Sequence, residues 1–345
     1  MHITRRQTLN IMAAGLASSI LLPASRVLKA QEKRSLHFEL VGYTLGIHVP
    51  AVMAVRDTLL QAGYAASQVD RIESMEVIAK SVIAGSTEIG DTDVVSALRS
   101  TQAGAKACLV GLVYNSTDQV LLVNADKIKS YEDFKKPSNS IALNAVGDFI
   151  YVMVSGALAR HNVDIDDVTI VEIGGSGSRL KALLAGRVAA VPVHFDQAAS
   201  VMKQGNFKVL VKPWKEYPHW FSEGWFVSRK WLDNKDNQRA VVDLNKAVIA
   251  SFRKANTDFK YFADGYRKYA TTHGHANVTD EVLHPAWKEL VTEIKAWPSD
   301  GGFKREYFKE LLPTYRRAHA LKKGKVDLDT AIEPKYVEQA LKELG

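Results

Sequence analysis

The loop that follows the first predicted strand carries side chains suited to holding a small molecule. Residues 42–48 of the 345-residue chain read Gly-Tyr-Thr-Leu-Gly-Ile-His, so Tyr43 can stack on a ligand and Thr44 can hydrogen-bond to it. The two glycines allow close approach of the backbone. Ligands of open α/β sheets bind beyond the carboxyl ends of the strands, which makes this a candidate binding loop. A plain βα turn is the alternative for the same residues.

Two further strand ends offer polar side chains. The segment 90–93 reads Gly-Asp-Thr-Asp and offers Asp91 and Thr92 to a ligand, although helix capping alone would explain Asp93. His194 follows a later predicted strand and stands at the head of a helix. A lone histidine is more often structural than catalytic, so we predict His194 only as a polar contact.

The segment 144–151 places an acid where an anion site would be expected. It reads Asn-Ala-Val-Gly-Asp-Phe-Ile-Tyr, and Asn144, Gly147 and Asp148 are candidate ligand contacts. A carboxylate at a helix start normally just stabilises the helix dipole. Beside a cleft it would also repel a small inorganic anion. Asp148 therefore argues against nitrate and simple sulfonates, and favours a ligand with an N–H donor or a positive group.

A glycine-rich turn at 174–179, Gly-Gly-Ser-Gly-Ser-Arg, leads into a predicted helix. Successive backbone N–H groups in such a turn form a cradle for a carboxylate or sulfonate, and Ser176 is the candidate contact. The turn lacks the Gly-Lys-Ser/Thr of a phosphate-binding P-loop. A flexible capped turn without a ligand is the alternative.

Aromatic residues are frequent near these loops and in the stretch 213–225. Because most aromatic side chains in any protein belong to the core, we expect only about two or three of them to line a ligand. Tyr114 and Trp225 are the candidates beside Tyr43, and the ligand is expected to have an apolar or planar part. The aromatic residues of this set are Tyr43, Tyr114, Phe149, Tyr151, Phe195, Trp220 and Trp225.

Motifs of catalysis are missing from the sequence. It contains no Gly-x-Ser-x-Gly elbow, no His-Glu-x-x-His and no dinucleotide fingerprint. The single cysteine, Cys108, is embedded in the apolar run 107–113. His273 and His275 could bind a metal, but two histidines on a polar loop without a third ligand are more often surface residues. We predict no catalytic residue, no metal and no cofactor.

Strand-length apolar runs alternate with helix-length amphipathic stretches from Leu36 onward, which predicts an α/β fold around mostly parallel sheets. Gly85 and Gly186 each end a predicted helix ahead of a strand, where a left-handed residue is needed. Beyond Asp233 only helices are predicted, so the C-terminus should form a helical cover. Its last helix should begin at Pro334. We predict strands at 36–41, 71–74, 88–91, 108–114, 119–124, 140–143, 168–173, 189–193, 208–211 and 224–228.

The first thirty residues are typical of an export signal that is cleaved from the mature protein. Arg5 and Arg6 precede a weakly apolar stretch, which resembles a twin-arginine signal for export of a folded protein. An ordinary secretory signal is the alternative. The apolar run is too short and too interrupted for a membrane span.

The charge balance gives little support for nucleic-acid binding. The formal net charge of +7 comes from 45 basic and 38 acidic residues. Four of the basic residues and none of the acids lie in residues 1–30, so removal of that segment leaves 41 basic residues and a net charge of +3. Such a balance at most mildly favours an anionic ligand.

The order of several segments resembles the substrate-binding proteins of nitrate, sulfonate and taurine importers, a group that also includes binders of thiamine pyrimidine precursors. The resemblance covers about residues 36–345. It rests on the segments AGSTEIGDTD, IKSYEDFKKPSNSIAL, GGSGSRLKALLAGRV and VDLDTAIEPKYVEQALKELG in that order.

This resemblance implies a two-lobed type II periplasmic-binding-protein fold with an interlobe ligand site. Lobe one would comprise residues 36–114 and 220–345, and lobe two residues 116–219, with hinge crossings near 111–124 and 213–225. Asn115, at the turn within the first crossing, is a further candidate contact. The implied protein is a soluble periplasmic monomer that delivers a small organic molecule to the permease and ATPase of an ABC transporter. An enzyme of the same fold acting on a pyrimidine or small organic acid is the alternative.

Overall fold

The computed structural model describes residues 33–65, 68–202, 204–217, 219–322, 324 and 326–345. The predicted signal at residues 1–30, with Arg5 and Arg6, lies outside the described residues. Within the described ranges, no helix is both long enough and apolar enough to cross a bilayer.

One five-stranded sheet has the strand order β2-β1-β3-β10-β4. Strand β1 pairs in parallel with β2 and β3, whereas β10 pairs antiparallel with β3 and β4. β10 follows the whole second sheet in sequence and inserts between two strands of the first. The strands are β1 His37–Val41, β2 Gln68–Ile72, β3 Ile89–Asp93, β4 Ala107–Tyr114 and β10 Glu223–Ser228.

The second sheet has the order β7-β6-β8-β5-β9, with β6 parallel to β7 and β8, and β5 antiparallel to β8 and β9. Both sheets are therefore mixed, and the expectation of mostly parallel sheets was wrong. The reason is that β5 and β10 enter their sheets from the other sheet and run against their neighbours. The strands are β5 Gln119–Asn124, β6 Ile141–Leu143, β7 Ile170–Glu172, β8 Ala190–His194 and β9 Phe207–Val211.

Helices connect the strands and cover both sheets. They are α1 Val49–Met53, α2 Leu59–Gln61, α3 Met75–Ala84, α4 Val94–Gln102, α5 Phe149–Arg160, α6 Ser176–Leu184, α7 Phe195–Val201, α8 Pro213–Glu216, α9 Arg229–Leu232, α10 Lys235–Thr257, α11 Phe259–Tyr269, α12 Asp280–Lys288, α13 Arg305–Arg317, α14 Leu328–Ala331 and α15 Lys335–Leu344. π-helical turns occur at Ala54–Thr58 and Glu289–Ile294, and 3₁₀ turns at Gly46–His48, Tyr131–Lys135, Ile165–Asp167 and His275–Asn277.

Side-chain caps fix the helix starts near the strand ends. The oxygens of Ser74, Asp93 and Asp148 accept backbone N–H groups in the first turns of α3, α4 and α5. Each cap satisfies a donor that has no partner within its helix. Gly85 and Gly186 both have positive φ, 80° and 68°, as predicted for the residues that end α3 and α6.

The helical cover predicted for the C-terminus is confirmed. Helix α10 buries one face, and α15 packs along it. Pro334 is the N-cap of α15, as predicted from its fixed φ.

The chain passes from the first sheet to the second through four buried residues, 115–118. Ser116 has a φ of 69°, a left-handed conformation that is costly for a residue with a Cβ. Its backbone N–H donates to the carbonyl of Trp220, and its carbonyl accepts the hydroxyl of Ser222. The outgoing and returning chains are thus hydrogen-bonded to each other where they leave the sheets.

Candidate functional site

A cavity of about 630 Å³ lies among strand ends of both sheets. Its walls come from the loops after β1, β2 and β6, the ends of β3 and β8, the start of β5, helix α4, and the first turns of α3, α5 and α6. This volume falls within the range of small-molecule sites. Because both sheets contribute walls, a ligand held here would touch two separately built parts of the chain.

Five of the predicted contacts line the cavity: Tyr43, Asn144, Asp148, Ser176 and His194. Gly147 is adjacent to them, and its carbonyl accepts a hydrogen bond from the guanidinium of Arg99. The loops after β1, β6 and β8 and the turn before α6 therefore come together at one place.

The six remaining predicted residues are buried and are not part of the cavity lining: Thr44, Asp91, Thr92, Tyr114, Asn115 and Trp225. The hydroxyl of Thr92 donates to the carbonyl of Met75 at 2.7 Å. Trp225 packs edge-on against Phe38. Asn115 donates its backbone N–H to the carbonyl of Ala296 at 2.8 Å. Their contact with a ligand stays a prediction.

Three acids share one face of the first sheet. Strand register places Glu223 of β10 directly opposite Asp93 of β3, and Asp91 two residues from Asp93. Residues directly opposite each other, and residues two apart in one strand, project from the same face. Asp91, Asp93 and Glu223 are exposed by only 2%, 5% and 0%. We call these three residues the acidic face.

Burial makes the charged form of these acids costly. It raises the pKa of Glu223 to about 8 and that of Asp93 to about 6. The pKa of Asp91 is raised well above its ordinary value, first by burial and then by the charge of Glu223. The carboxyl groups of Asp91 and Glu223 interact with each other, and with a pKa of about 8 Glu223 is largely protonated at neutral pH.

Two histidines in this region differ in their protonation. His48 is fully buried, and desolvation lowers its pKa to about 4. Its Nδ1 accepts the N–H of Leu45, which leaves the proton on Nε2, 3.2 Å from the Glu223 carboxyl. For His194, burial lowers the pKa but Asp118, at 2.8 Å, outweighs it, so the net pKa is raised.

Tyr43 lines the cavity and packs against both histidines. The ring of Tyr43 lies edge-on to His48 at 5.5 Å and to His194 at 6.5 Å. Tyr114 lies beyond His48 and donates its hydroxyl to Glu223 at 2.8 Å. The acidic face therefore continues below Tyr43, and Asp93 is its member that reaches the cavity lining.

Two arginines supply positive charge elsewhere on the wall. Arg179 is 2% exposed, and its guanidinium donates to the carbonyls of Pro192 and Gly174. Arg99 donates to the carbonyls of Ala320 and Gly147. Burial lowers the pKa of Arg179 to about 10, so it remains charged at neutral pH. Backbone oxygens hold both guanidinium groups, and the acids whose charges act on them include Asp148 for Arg179 and Asp93 for Arg99.

Sequence reasoning missed Arg179, Arg99, Gln119 and Glu223. Arg179 ends the glycine-rich segment 174–179, from which only Ser176 was predicted as a contact. Glu223 had a usable signal, since it is the one acid in the otherwise uncharged run 220–228. An acid in such a run must be paired or protonated when the strand is buried.

The metal alternative receives no support within the ranges described. No group of three or more histidine, cysteine, aspartate or glutamate side chains is arranged to hold an ion there. The Nδ1 of His275 contacts the carbonyl of Thr272, and Cys108 is buried as a free thiol.

Comparison with known proteins gives a family and a fold. The family model described as NMT1/THI5 like matches residues 68–255, more than half of the chain. No curated protein is similar enough to count as a match.

Many solved structures share the fold at low sequence identity. The periplasmic sulfonate-binding protein SsuA from Methylobacillus flagellatus KT, described as putative, has a TM-score of 0.66 at 16% identity, covering 91% of this chain and 96% of its own. The nitrate-binding protein NrtA from Synechocystis PCC 6803 has 0.65 at 10%, covering 91% and 89%. A cysteine-to-serine mutant of DszB in complex with biphenyl-2-sulfinic acid has 0.58 at 14%, covering 90% and 99%. The predicted two-lobed binding-protein fold is thereby confirmed.

Proposed function

Because this chain belongs to the NMT1/THI5-like family, we propose that it is the solute-binding component of an ABC importer. It binds one small organic molecule in the cavity and performs no reaction on it. The observation that carries the proposal is the cavity itself, whose walls come from strand ends of both sheets. The names of SsuA and NrtA, which share the fold, agree with this role.

The ligand acts by joining the two halves of the molecule. A molecule that touches both sheets stabilises the arrangement in which they are close, and this closed form is what a permease and its ATPase would recognise. The lobes are residues 36–114 with 220–345, and residues 116–219. The hydrogen bonds of Ser116 to the returning chain support a hinge near this crossing.

The positive wall receives an acidic end of the ligand. Arg179 presents a charged guanidinium to the cavity, and Gly175 and Ser176 begin helix α6 beside it. The planar N–H groups of a guanidinium can form two parallel hydrogen bonds to a carboxylate or sulfonate, which an ammonium group cannot do. The start of a helix adds further N–H donors. The ligand classes that fit are sulfonates, aromatic and other organic acids, and pyrimidine-like molecules with an acidic group.

Export places this binding in the periplasm. The twin-arginine-like segment at residues 1–30 carries the mature chain across the inner membrane and is cleaved near Gln31. The mature protein acts as a soluble monomer.

The binding test is a thermal-shift screen of the purified protein with sulfonates, aromatic acids, pyrimidines and amines. A ligand at a hundred times its dissociation constant adds about 2.7 kcal/mol to stability, which such a screen detects. Arg179→Lys should weaken an acidic ligand at least tenfold, because it removes the planar donor pair. Lys181→Gln, on the exposed side of the same helix, is the matched control and should bind as the native protein does.

The transport test uses cells that lack the gene. Uptake of the labelled ligand should be lost, restored by the native chain, and not restored by Arg179→Lys. If uptake persists without the gene, the importer role is wrong even if the ligand binds.

An enzyme is the second candidate, favoured by one observation. Glu223 has a pKa near 8 and contacts Tyr114 and His48 below the cavity, and perturbed acids of this kind are common in active sites. The fold alone does not distinguish a binding protein from an enzyme, because DszB, which shares it, is an enzyme. Incubating the protein with its bound ligand and following the ligand by mass spectrometry separates the two functions. Multiple turnover would establish the enzyme, and an unchanged ligand the binding protein.

A further inference from the structure

Among the described residues, no lysine or arginine side chain lies within 4.0 Å of a carboxyl oxygen of the acidic face. The ion pair that its members make at this distance is between Glu223 and His48, and His48 is uncharged at neutral pH because its pKa is about 4. Burial favours the protonated forms of Asp91 and Glu223, whereas Asp93, whose pKa is about 6, is ionised at pH 7.5. Leaving buried charge without a counter-charge costs several kcal/mol per ion, which a positive group entering the cavity would offset.

A second observation, independent of these acids, indicates that the ligand supplies a hydrogen-bond donor. Gln119 begins strand β5 in the other sheet and lines the same cavity as Asp93. Its side chain is almost fully buried, and Oε1 has no hydrogen-bond partner. Burying an amide oxygen without a hydrogen-bond donor costs about 1–3 kcal/mol, because no bond in the folded protein replaces its hydration. A ligand N–H group at this point satisfies it.

The partner that fits is organic. Within the described residues no side-chain group has the arrangement of a metal site. An ammonium carries a positive charge and several N–H donors, so one group can serve both a carboxylate and an amide oxygen.

We infer that the ligand carries an ammonium or similar cationic N–H group, which binds at the acidic face through Asp93 and Gln119. Asp91 and Glu223 lie beside Asp93 on the acidic face, and because burial favours their protonated forms, Asp93 is the member that supplies the negative charge. With Arg179 on the other wall, the preferred ligand is a zwitterion, an amine joined to a carboxylate or sulfonate. This inference rests on the proposed function, because it assigns the chemistry of the same cavity.

The test compares probes that differ only in the ammonium group. Two pairs suffice: taurine with ethanesulfonate, and 4-(aminomethyl)benzoate with 4-methylbenzoate. Binding to the purified native protein, Asp93→Asn, Glu223→Gln and Glu88→Gln is measured by isothermal titration calorimetry at pH 7.5. Asn can still cap helix α4, so Asp93→Asn removes charge and keeps the cap. Glu88 precedes the opposite end of the same strand, β3, and is the control.

In the native protein, the ammonium-bearing member of at least one pair should bind at least tenfold more tightly than its partner. Asp93→Asn should reduce that ratio at least fivefold, while Glu223→Gln, which replaces a largely protonated side chain, and Glu88→Gln leave it unchanged. A merely structural role would weaken both members equally and keep the ratio, so the ratio isolates the charge.

Tighter binding of ethanesulfonate or 4-methylbenzoate overturns the inference and leaves the proposed function intact. An ammonium preference that survives Asp93→Asn also overturns it. If no probe of either kind binds, the inference fails, and the importer role then depends on the uptake experiment alone.

Discussion

Replacing Glu223 with glutamine should remove a large part of the pH dependence of folding stability. The side chain is fully buried, contacts Tyr114 and His48, and lies beside Asp91 and Asp93 on the acidic face. Burial raises its pKa from the ordinary 4.5 to about 8. Glutamine has nearly the same shape and cannot ionise, so Glu223→Gln tests the charge with little change in packing.

The sign follows from proton linkage. The folded protein holds the Glu223 proton more tightly than the unfolded chain, so this stabilisation is complete below pH 4.5. It is lost as the pH rises towards 8, because the unfolded chain releases the proton first. The interval from 4.5 to about 8 corresponds to as much as about 5 kcal/mol, at about 1.4 kcal/mol per tenfold change in proton affinity. That is a third or more of the stability of an ordinary domain, which is about 5–15 kcal/mol.

Urea unfolding of the ligand-free protein at pH 5 to 9 measures this effect. Relative to the native chain, Glu223→Gln should gain several kcal/mol of unfolding free energy between pH 5 and 8.5, with the gain rising steadily up to about pH 8 and levelling off above it. Glu88→Gln should give a curve parallel to that of the native protein, because Glu88 is partly exposed and paired with Arg34. Parallel curves for Glu223→Gln would refute the argument that Glu223 is protonated in the folded state.

Three further outcomes are expected. Asp148→Asn should weaken binding of a cationic or zwitterionic ligand at least tenfold in calorimetry, and should leave binding of a purely anionic ligand unchanged or make it tighter. The reason is that burial beside the cavity strengthens the effect of the Asp148 charge. If binding of neither class changes, Asp148 acts only as a helix cap. Gly156→Ala should lower the free energy of unfolding by about 1–3 kcal/mol, because the new Cβ would meet the hydroxyl of Tyr217, and an unchanged denaturation midpoint would contradict this packing. Replacing both Arg5 and Arg6 with lysine should abolish export in a fractionation assay, whereas undiminished export would indicate the general secretory route.

Local patterns explain how much of the fold was predictable. Apolar runs and turn residues predicted a strand near each of the ten that occur among the described residues, and the predicted ends at Gly85, Gly186 and Pro334 were correct. Strand β2 was placed at 71–74 but occupies Gln68–Ile72. It is an edge strand with polar, partly exposed side chains, so the hydrophobic alternation that marks a strand is absent there.

Residues of the cavity wall could be predicted only where the sequence shows a loop at the end of a strand. Tyr43, Asn144, Asp148, Ser176 and His194 all follow strand ends, and a general rule for α/β sheets selects such positions. Arg99 and Gln119 reach the cavity from the interior of a helix and the start of a strand, where no turn residue marks them.

The acidic face shows why the remaining part of the site needed the structure. Asp93 and Glu223 are 130 positions apart, and they meet because β10 returns from the second sheet and pairs antiparallel with β3 in one register. A shift of one residue would turn Glu223 to the opposite face, away from Asp91 and Asp93. No local pattern fixes that register. It is set by the packing of Trp225 on Phe38 and of Gly224 against Leu109, contacts between distant segments. The chemistry assigned here to the ligand is therefore a property of the tertiary structure, and a test at Glu223 is also a test of the strand pairing that puts it there.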